Sequence, residues 1–318
     1  KGVPMISIVI PLYNEEENIQ ELYRRLIDVL DSMRESYEVL FIDDGSTDGS
    51  YARLLEIKKN NESIKIVKFR RNFGQTAAIH AGFDYAQGEI IATLDADLQN
   101  DPQDIPDMVK KLNDLDLDVV CGWRYQRKDK FHKKILSRFA NGLRRKLTGE
   151  TIHDSGCTLR VYRKESVRDL DLYGEMHRYI PIIAKQAGFS KIGEKAVQHQ
   201  ERKYGKTKFG LERFINGFLD LLTITFISRF GKRPMHLFGT LGTLVFLIGG
   251  GITVWLLGQK IYGIAHHLKV REVTAQPLFY LALVMTIIGV QLFVAGFIGE
   301  LVSRNSSERN NYLVDKRI

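Results

Sequence analysis

The sequence predicts an α/β protein in which a mostly parallel sheet is flanked by helices and followed by two membrane-spanning helices. In residues 1–208, apolar runs alternate with amphipathic stretches, which is typical of the strands and helices of such a sheet. Towards the C-terminus, runs of 21 and 23 residues carry no charge, and about 20 apolar residues suffice to cross a bilayer. A composition of 44% hydrophobic and 26% charged residues excludes a disordered chain.

Six strands and four helices are predicted in the first domain, residues 1–208. The strand candidates are Ser7–Pro11, Glu38–Ile42, Ile64–Phe69, Ile90–Leu94, Val119–Gly122 and Thr158–Tyr162. The helix candidates are Asn18–Asp31, Gly49–Asn60, Gln75–Ala86 and Asp104–Leu112. Because the carboxyl ends of parallel strands meet at one edge of a sheet, we expect the polar residues that follow the strands to form one site.

Polar residues follow the first two predicted strands. Pro11, Tyr13 and Glu15 end the first strand, and no Gly-x-Gly-x-x-Gly or P-loop pattern follows them, which argues against a dinucleotide or P-loop site. Asp43 and Asp44 end the second strand. Adjacent carboxylates repel unless the donors of a ligand, such as ribose hydroxyls or a base N–H, take up their charge. Residues 46–48 fit a turn and a helix cap.

Asp95 and Asp97 follow the fourth predicted strand. Side chains alternate along an extended segment, so the two carboxylates are predicted to point the same way and to share one hard cation. Mg²⁺ or Mn²⁺ takes oxygen ligands and is commonly completed by substrate phosphates, which favours a nucleoside diphosphate substrate. Any acidic turn can match Asp-x-Asp, but the carboxylate pair at the end of the second strand supports a combined metal and nucleotide site.

The net charge of +8 is concentrated between residues 124 and 146, where ten Lys and Arg residues accompany a single Asp. Apolar residues recur at four-residue steps there, which predicts a basic amphipathic helix over 131–147 on an anionic membrane surface. A solvated basic face packed on the domain is the alternative for several of these lysines. Arg124 and Arg138 are the candidate anion ligands, and the apolar stripe argues against nucleic acid as the partner.

Three further segments complete the cytosolic part of the prediction. Asp154 fits a general base, a neighbour of a metal site or a turn residue, and sequence spacing does not decide among these roles. The basic segment from Arg202 to Lys208 fits either a loop that closes over a phosphate or a charged linker. The apolar helical pattern over 209–230 predicts an interfacial helix.

The charge-free runs predict membrane-spanning helices over 236–257 and 277–299, followed by a tail over 300–318. The Gly249–Gly251 run suits close helix packing in lipid, although a pair of buried core helices is the alternative. Seven basic residues flank the outer ends of this hairpin against three between the helices. The positive-inside rule therefore predicts a multi-pass protein of the inner membrane, with its first domain and both termini in the cytoplasm. Two cysteines are too few for a disulfide scaffold, which fits a reducing compartment.

These motifs together resemble the GT-A, family 2 polyprenyl-phosphate glycosyltransferases. The resemblance rests on four segments in order, Val9–Glu15, Asp43–Ser46, Asp95–Gln99 and His153–Cys157. The group includes enzymes similar to dolichol-phosphate mannose synthase and the bacterial bactoprenol glucosyltransferases of the GtrB type. The two-helix C-terminus is most similar to the GtrB branch.

The resemblance implies an inverting hexosyltransferase that moves a sugar from a nucleotide sugar to a polyprenyl phosphate, with Mg²⁺ or Mn²⁺ as cofactor. UDP-glucose and undecaprenyl phosphate are the expected substrates. The implied nucleotide-binding residues are Pro11, Tyr13, Glu15, Asp43 and Asp44. The implied metal ligands are Asp95, Asp97 and Gln99, and the implied catalytic residues are Asp97 and Asp154. The implied lipid-phosphate ligands are Arg124, Arg138, Arg202 and Lys208, and for Arg202 and Lys208 the diphosphate is the alternative partner.

The resemblance also implies a homo-oligomer, a lipid-linked-sugar flippase in the same pathway, and a product used to modify cell-surface glycans. GDP-mannose is the alternative donor, with UDP-linked amino sugars behind it, because no residue fixes the base or the sugar. A processive polysaccharide synthase of the same fold is disfavoured, since the sequence has no Gln-x-x-Arg-Trp motif and no further spans. A non-catalytic membrane scaffold is the remaining alternative, and the intact acidic set argues against it.

Overall fold

The computed structural model describes residues 5–33, 35–125, 152–200 and 233–305, together with residues 219, 223, 226, 230 and 231. The chain divides into two compact units, residues 1–221 and residues 222–318. Some predicted features lie outside the described residues. They are the helix 131–147, most of the interfacial helix 209–230, the end of the tail beyond residue 305, and Arg138, Arg202 and Lys208.

A seven-stranded mixed sheet forms the centre of the first unit, counted within the described residues. The strands are β1 (Ile6–Leu12), β2 (Tyr37–Asp43), β3 (Ile64–Lys68), β4 (Ile90–Thr93), β5 (Val119–Trp123), β6 (Arg160–Arg163) and β7 (Ile192–Ala196). Their order is β3-β2-β1-β4-β6-β5-β7, and every neighbouring pair is parallel except the two pairs that β6 makes. The predicted α/β class with a mostly parallel sheet is confirmed.

Helices connect the strands and cover the sheet. They are α1 (Glu16–Ser32), α2 (Ser50–Asn60), α3 (Gln75–Tyr85), α4 (Ile105–Asp114) and α5 (Ile180–Gln186). The predicted strands and helices are all present, with their ends shifted by at most two residues. The sequence did not predict β7 or α5. The five residues of β7 include no buried side chain, and α5 has only seven residues, so neither shows a clear hydrophobic period.

β1 lies in the core, and all seven of its residues are buried. Ile8 packs in the same apolar cluster as Leu22 of α1. On the opposite face, α3 approaches the strand so closely that a β-carbon at Gly82 would stand 2.1 Å from Cγ1 of Val9. Cover on both faces explains why the strand is continuously apolar and does not alternate with polar residues.

The reversed direction of β6 places the loop that precedes it. Arg160 at the start of β6 pairs with Thr93 at the end of β4 and with Cys121 of β5. Residues 153–159 therefore reach the same edge of the sheet as the segments that follow the parallel strands. The described site candidates consequently lie at or beyond this one edge.

The second unit contains two long apolar helices, α6 (Pro234–Ala265) and α7 (Pro277–Asn305). With 32 and 29 residues, both are long and apolar enough to cross a membrane. Only 17% of the most apolar window of each helix is buried, which argues against the alternative of two core helices. Both helices continue beyond the predicted spans, which end at residues 257 and 299.

Small residues set the distance between α6 and α7. A β-carbon added at Gly242 or at Gly289 would stand 2.6 Å from a backbone nitrogen of the other helix. Gly249 is similarly close to α7, whereas a β-carbon at Gly250 or Gly251 would have no atom of the described chain within 4 Å. Of the glycine run predicted to pack closely, only Gly249 lies at the interface between the two helices.

We predict that Gly82→Ala lowers the stability of the first unit. The added methyl overlaps Val9, and overpacking of this kind costs about 1–3 kcal/mol. Thermal unfolding followed by circular dichroism in detergent measures the change. Val9→Ala makes room for the methyl, so the double variant should lose less stability than the two single variants added together. Strictly additive losses would contradict the predicted overlap.

Candidate active site

The two carboxylates at the end of β2 are buried, with 0% of Asp43 and 3% of Asp44 exposed. Asp43 Oδ1 accepts a hydrogen bond from the Ser46 amide at 2.9 Å, and its Oδ2 is buried with no partner among the described residues. Asp44 accepts from the Phe73 and Gly74 amides at 2.7 and 2.9 Å. Burial raises the pKa of Asp44, and the charge of Asp43 adds to this shift, which the two amides only partly offset. The donors of a ligand would relieve this pair.

The loop after β1 is tied to the loop after β2. Asn14 has a left-handed backbone with φ of 53°. Its amide donates to Ser46 Oγ at 3.0 Å, and its side-chain oxygen accepts from the Thr47 amide at 2.8 Å. Ser46 and Thr47 thus join the two loops, and Asp48 does so as well, since it accepts from the Glu16 amide at 3.3 Å. The N-cap of α2 is Gly49, which has no side chain to cap the helix, so the predicted helix cap at residues 46–48 is wrong.

Asp97 lies in a turn that directly follows Asp95, so the prediction that both carboxylates occupy one extended segment is wrong. β4 has only four residues and ends before the motif. Gln75, the first residue of α3, donates from Nε2 to Asp95 Oδ1 at 2.8 Å. Asp97 Oδ1 accepts from the Gln99 amide at 3.1 Å, a local hydrogen bond typical of an Asx turn. Asp95, Asp97 and Gln99 are each half-buried.

The donor set at this turn fits a hard divalent cation that arrives with its substrate. Asp95 and Asp97 offer carboxylate oxygens, which Mg²⁺ and Mn²⁺ prefer. Within the described part of the chain, no three His, Cys, Asp or Glu side chains are placed to hold a metal ion. One or two carboxylates completed by substrate phosphates and water is a common arrangement for Mg²⁺. The two carboxylates therefore fit a cation of this kind.

Arg124, directly after β5, forms a bidentate ion pair with Asp154, before β6. Guanidinium Nε and Nη2 donate to the two carboxylate oxygens at 2.7 and 2.9 Å, and each side chain is 12% exposed. The Gly156 amide also donates to Asp154 Oδ1 at 3.1 Å. Burial lowers the pKa of Arg124, but the hydrogen bond and charge of Asp154 outweigh it, so the net shift is upward. Asp95 adds to this upward shift, which places the guanidinium in the field of both carboxylates.

Trp123, His153 and Glu194 lie beside the turn that carries Asp154. The His153 ring stacks on Trp123 with ring centres 4.6 Å apart and planes at 21°. Glu194 of β7 accepts from the His153 amide and contacts ring Nδ1, both at 2.7 Å. Sequence reasoning missed Glu194, because it lies 41 residues from His153 on a strand with no clear pattern.

The chain after β7 returns to the Asp-x-Asp turn. The Gln200 amide donates to the Gln99 carbonyl at 2.8 Å, and Asn100 and His199 form an isolated antiparallel bridge. Gln200 also donates from Nε2 to Asp101 at 3.2 Å. The described chain therefore reaches the turn just before the basic segment 202–208, which itself lies outside the described residues.

The acidic pairs after β2 and β4 are linked through the start of α3. The Gly74 amide binds Asp44, and the next residue, Gln75, binds Asp95. A glutamine in the first turn of a predicted helix is too common for the sequence to single it out. Among the remaining nucleotide candidates, Pro11 is buried in β1, and Tyr13 and Glu15 are half-buried in the loop that follows.

The fold is that of a class of glycosyltransferases. The sequence profile of Glycosyl transferase family 2 matches residues 7–171, and the chain belongs to that family.

Two curated relatives match nearly the whole chain. A dodecaprenyl-phosphate galacturonate synthase from Rhizobium johnstonii is 38% identical, over 97% of this chain and 91% of its own length. An undecaprenyl-phosphate 4-deoxy-4-formamido-L-arabinose transferase from Edwardsiella ictaluri is 36% identical, over 96% of this chain and 90% of its own. These relatives confirm the resemblance to the polyprenyl-phosphate glycosyltransferases.

Solved structures confirm the GT-A fold. Glucosyl-3-phosphoglycerate synthase from Mycobacterium tuberculosis in complex with phosphoglyceric acid has a TM-score of 0.54 and 17% identity, over 71% of this chain and 80% of that one. The same enzyme in complex with uridine-diphosphate also has a TM-score of 0.54, with 18% identity over 72% and 82% of the two chains.

We predict that Arg124→Ala and Asp154→Ala each lower the free energy of unfolding by about 3 kcal/mol, because each leaves a buried charge without its partner. The double variant should lose less than the sum of the two. Chemical denaturation in detergent measures these losses. Asp169→Ala is the control, because the Arg168–Asp169 pair is exposed and such pairs contribute about 0–1 kcal/mol. A double variant as unstable as the sum would contradict the coupling.

Proposed function

We propose that this chain transfers a sugar from a nucleotide sugar to a polyprenyl phosphate at a membrane surface. The observation that supports it most is that two acidic pairs and one buried Arg–Asp pair share a single sheet edge. In addition, both near full-length relatives are named for the transfer of a sugar to a polyprenyl phosphate.

In this proposal the nucleoside binds beside β1 and β2. Asp43 Oδ2 is buried without a partner among the described residues, so it is available to a ribose hydroxyl or a base N–H. A donor at Asp44 would offset the burial that raises its pKa. Pro11, Tyr13 and Glu15, at the end of β1 and in the loop that follows it, are proposed to contact the same nucleoside.

Asp95 and Asp97, with Gln99 next to them, would hold the divalent cation that binds the diphosphate of the donor. When bound, Mg²⁺ or Mn²⁺ neutralises the charge that develops on the departing nucleoside diphosphate. Gln75 restrains Asp95 from the side of α3 by its hydrogen bond of 2.8 Å. The chain's own contribution here would be to supply two carboxylates to the cation that accompanies the diphosphate.

Arg124 provides the positive charge of the acceptor half. Asp154 accepts from Nε and from one N–H of Nη2, so the N–H groups of Nη1 and the second N–H of Nη2 are the donors proposed for the acceptor phosphate. The sequence indicated Arg124 as an anion ligand but did not predict its ion pair with Asp154. Arg138, Arg202 and Lys208 stay proposed ligands of the same phosphate on the strength of the sequence alone.

The reaction is a single displacement with inversion at the anomeric carbon. An oxygen of the polyprenyl phosphate forms the new bond to that carbon, and the bond to the nucleoside diphosphate breaks. A phosphate monoester has a second pKa near 6, so the attacking oxygen is already deprotonated at neutral pH. Both oxygens of Asp154 accept hydrogen bonds, which favours an orienting role for Asp154 over that of a general base.

The identity of the sugar and of the donor nucleotide is the finer part of the proposal. Glucose from UDP-glucose stays our prediction, with mannose from GDP-mannose as the alternative. The two relatives are named for galacturonate and for 4-deoxy-4-formamido-L-arabinose, so uronate and modified pentose donors belong in the same comparison.

The hairpin of α6 and α7 is proposed to anchor the enzyme in the inner membrane, with the α/β unit and both termini in the cytoplasm. An anchor of this kind keeps a soluble-fold domain next to a lipid acceptor and raises the effective concentration of the acceptor. Self-association and a partner flippase are further proposals that rest on the family resemblance.

We predict that the purified chain, with undecaprenyl phosphate and Mg²⁺ or Mn²⁺, forms a lipid carrying one sugar from one donor of a panel. The panel contains UDP-glucose, GDP-mannose, UDP-galacturonate and the activated 4-deoxy-4-formamido-L-arabinose. Mass spectrometry of the lipid product identifies the sugar. A lipid carrying several sugars would instead indicate a processive synthase, and no lipid-linked sugar from any donor would favour a non-catalytic scaffold.

We predict that Asp97→Asn lowers kcat/KM about 100-fold, because it removes a charge that holds the cation against the diphosphate. The concentration of Mn²⁺ needed for half-maximal transfer should rise in parallel. Asp114→Asn is the control, since Asp114 is an exposed aspartate at the end of α4, away from the sheet edge. A wild-type metal titration for Asp97→Asn would remove Asp97 from the metal site.

A further inference from the structure

A carboxylate on the edge strand β7 holds the turn on which Asp154 lies. Glu194 Oε1 accepts from the His153 amide at 2.7 Å and lies 3.5 Å from the Asp154 amide nitrogen. Its Oε2 contacts His153 Nδ1 at 2.7 Å. The Glu194 side chain is only 16% exposed, so water competes weakly for these hydrogen bonds.

His153 is fixed although it lies largely in solvent. Its side chain is 49% exposed, yet Glu194 binds its ring nitrogen and Trp123 stacks on its face. Fixing an exposed side chain costs conformational entropy and buries little apolar surface. Residues 153–156 belong to no helix or strand that would fix their conformation. We therefore interpret the contacts of His153 with Glu194 and Trp123 as the interactions that fix this turn.

The conformation of this turn determines the geometry of the Arg124–Asp154 ion pair. A bidentate pair requires both carboxylate oxygens to lie in line with the guanidinium N–H groups. A small rotation at residues 153–154 breaks one of the two hydrogen bonds. Glu194 thus acts on Arg124 through two successive contacts, first with the turn and then through Asp154.

We propose that Glu194 is a positioning residue for the acceptor half of the site: it fixes the His153–Asp154 turn and, through it, the guanidinium of Arg124. The kinetic part of this inference rests on the proposed function, whereas its structural part does not. Glu194 contacts neither substrate in this proposal, so its loss changes the transfer step and leaves donor binding as it was.

Three variants separate this role from general stability. Glu194→Ala removes the carboxylate that binds the backbone amide and the ring Nδ1 of His153. Glu194→Gln keeps a side-chain oxygen that accepts from the backbone amide of His153 and an NH2 group that can donate to its ring. Lys195→Ala is the matched control, because Lys195 is the next residue of β7 and its side chain pairs with Asp107 of α4, away from the turn. The full chain in detergent is used throughout.

Hydrogen exchange with mass spectrometry tests the structural part without any activity. Glu194→Ala should raise amide exchange in a peptide covering residues 152–157 at least about threefold over wild type, while Glu194→Gln and Lys195→Ala leave it unchanged. Equal exchange in wild type and Glu194→Ala would overturn the inference, whatever the chain catalyses.

Steady-state kinetics test the consequence, with the donor and acceptor found active for the wild type. Glu194→Ala should lower kcat roughly 10- to 100-fold, as expected for a misplacement of about 1 Å, with the KM of the donor within about twofold of wild type. Glu194→Gln should recover most of the rate. In an Asp154→Ala background, Glu194→Ala should cost less than twofold, because the residue through which it acts is gone.

Two kinetic results would overturn the inference. One is a wild-type kcat in Glu194→Ala. The other is a double variant, Glu194→Ala with Asp154→Ala, whose fold-loss in kcat equals the product of the two single losses. A wild-type chain without transferase activity would instead refute the proposed function, and the exchange measurement would still decide the role of Glu194.

Discussion

Arg160 pairs with Thr93 of β4 on one side and with Cys121 of β5 on the other, so β6 runs against both of its neighbours. Without this reversal the loop that carries Asp154 would leave the sheet at the opposite edge. Strand direction therefore brings together two groups of residues that are far apart in sequence. The acidic pairs come from the parallel half of the sheet, and the Arg124–Asp154 pair comes from the half that β6 joins to it.

The electrostatics of this edge follow from that arrangement. Carboxylates end β2, follow β4 and precede β6, and the burial of Asp44 makes its ionised form costly. The Arg124 guanidinium interacts with Asp154 by hydrogen bonds and with Asp95 by charge, so it offsets part of this negative potential. A cation bound with a diphosphate would offset more of it. An edge of this kind favours ligands that combine hydrogen-bond donors, a divalent cation and an anionic group.

Local patterns in the sequence predicted most of the fold and the acidic part of the site. Asp43–Asp44 and Asp95–Asp97 lie at or just after the ends of apolar strands. The sequence therefore predicted that both acidic pairs lie at the carboxyl-end edge of the sheet. Arg124 and Asp154 were each singled out, but their pairing across 30 residues was not, because no local period encodes a contact between two loops. Gln75 and Glu194 were missed because their contacts, with Asp95 and with His153, join residues 20 and 41 positions apart in the sequence. The extended geometry assigned to Asp95 and Asp97 failed because a local hydrogen bond to the Gln99 amide favours a turn.

The segment 73–75 binds both acidic pairs through consecutive residues. The amides of Phe73 and Gly74 bind Asp44, and the Gln75 side chain binds Asp95. In the proposed complex, the carboxylate near the nucleoside and the carboxylate near the diphosphate would thus both be bound to one tripeptide. A ligand that moves one carboxylate would move the tripeptide and, with it, the other carboxylate. Binding of the nucleoside at Asp44 and binding of the diphosphate at Asp95 would therefore be energetically coupled.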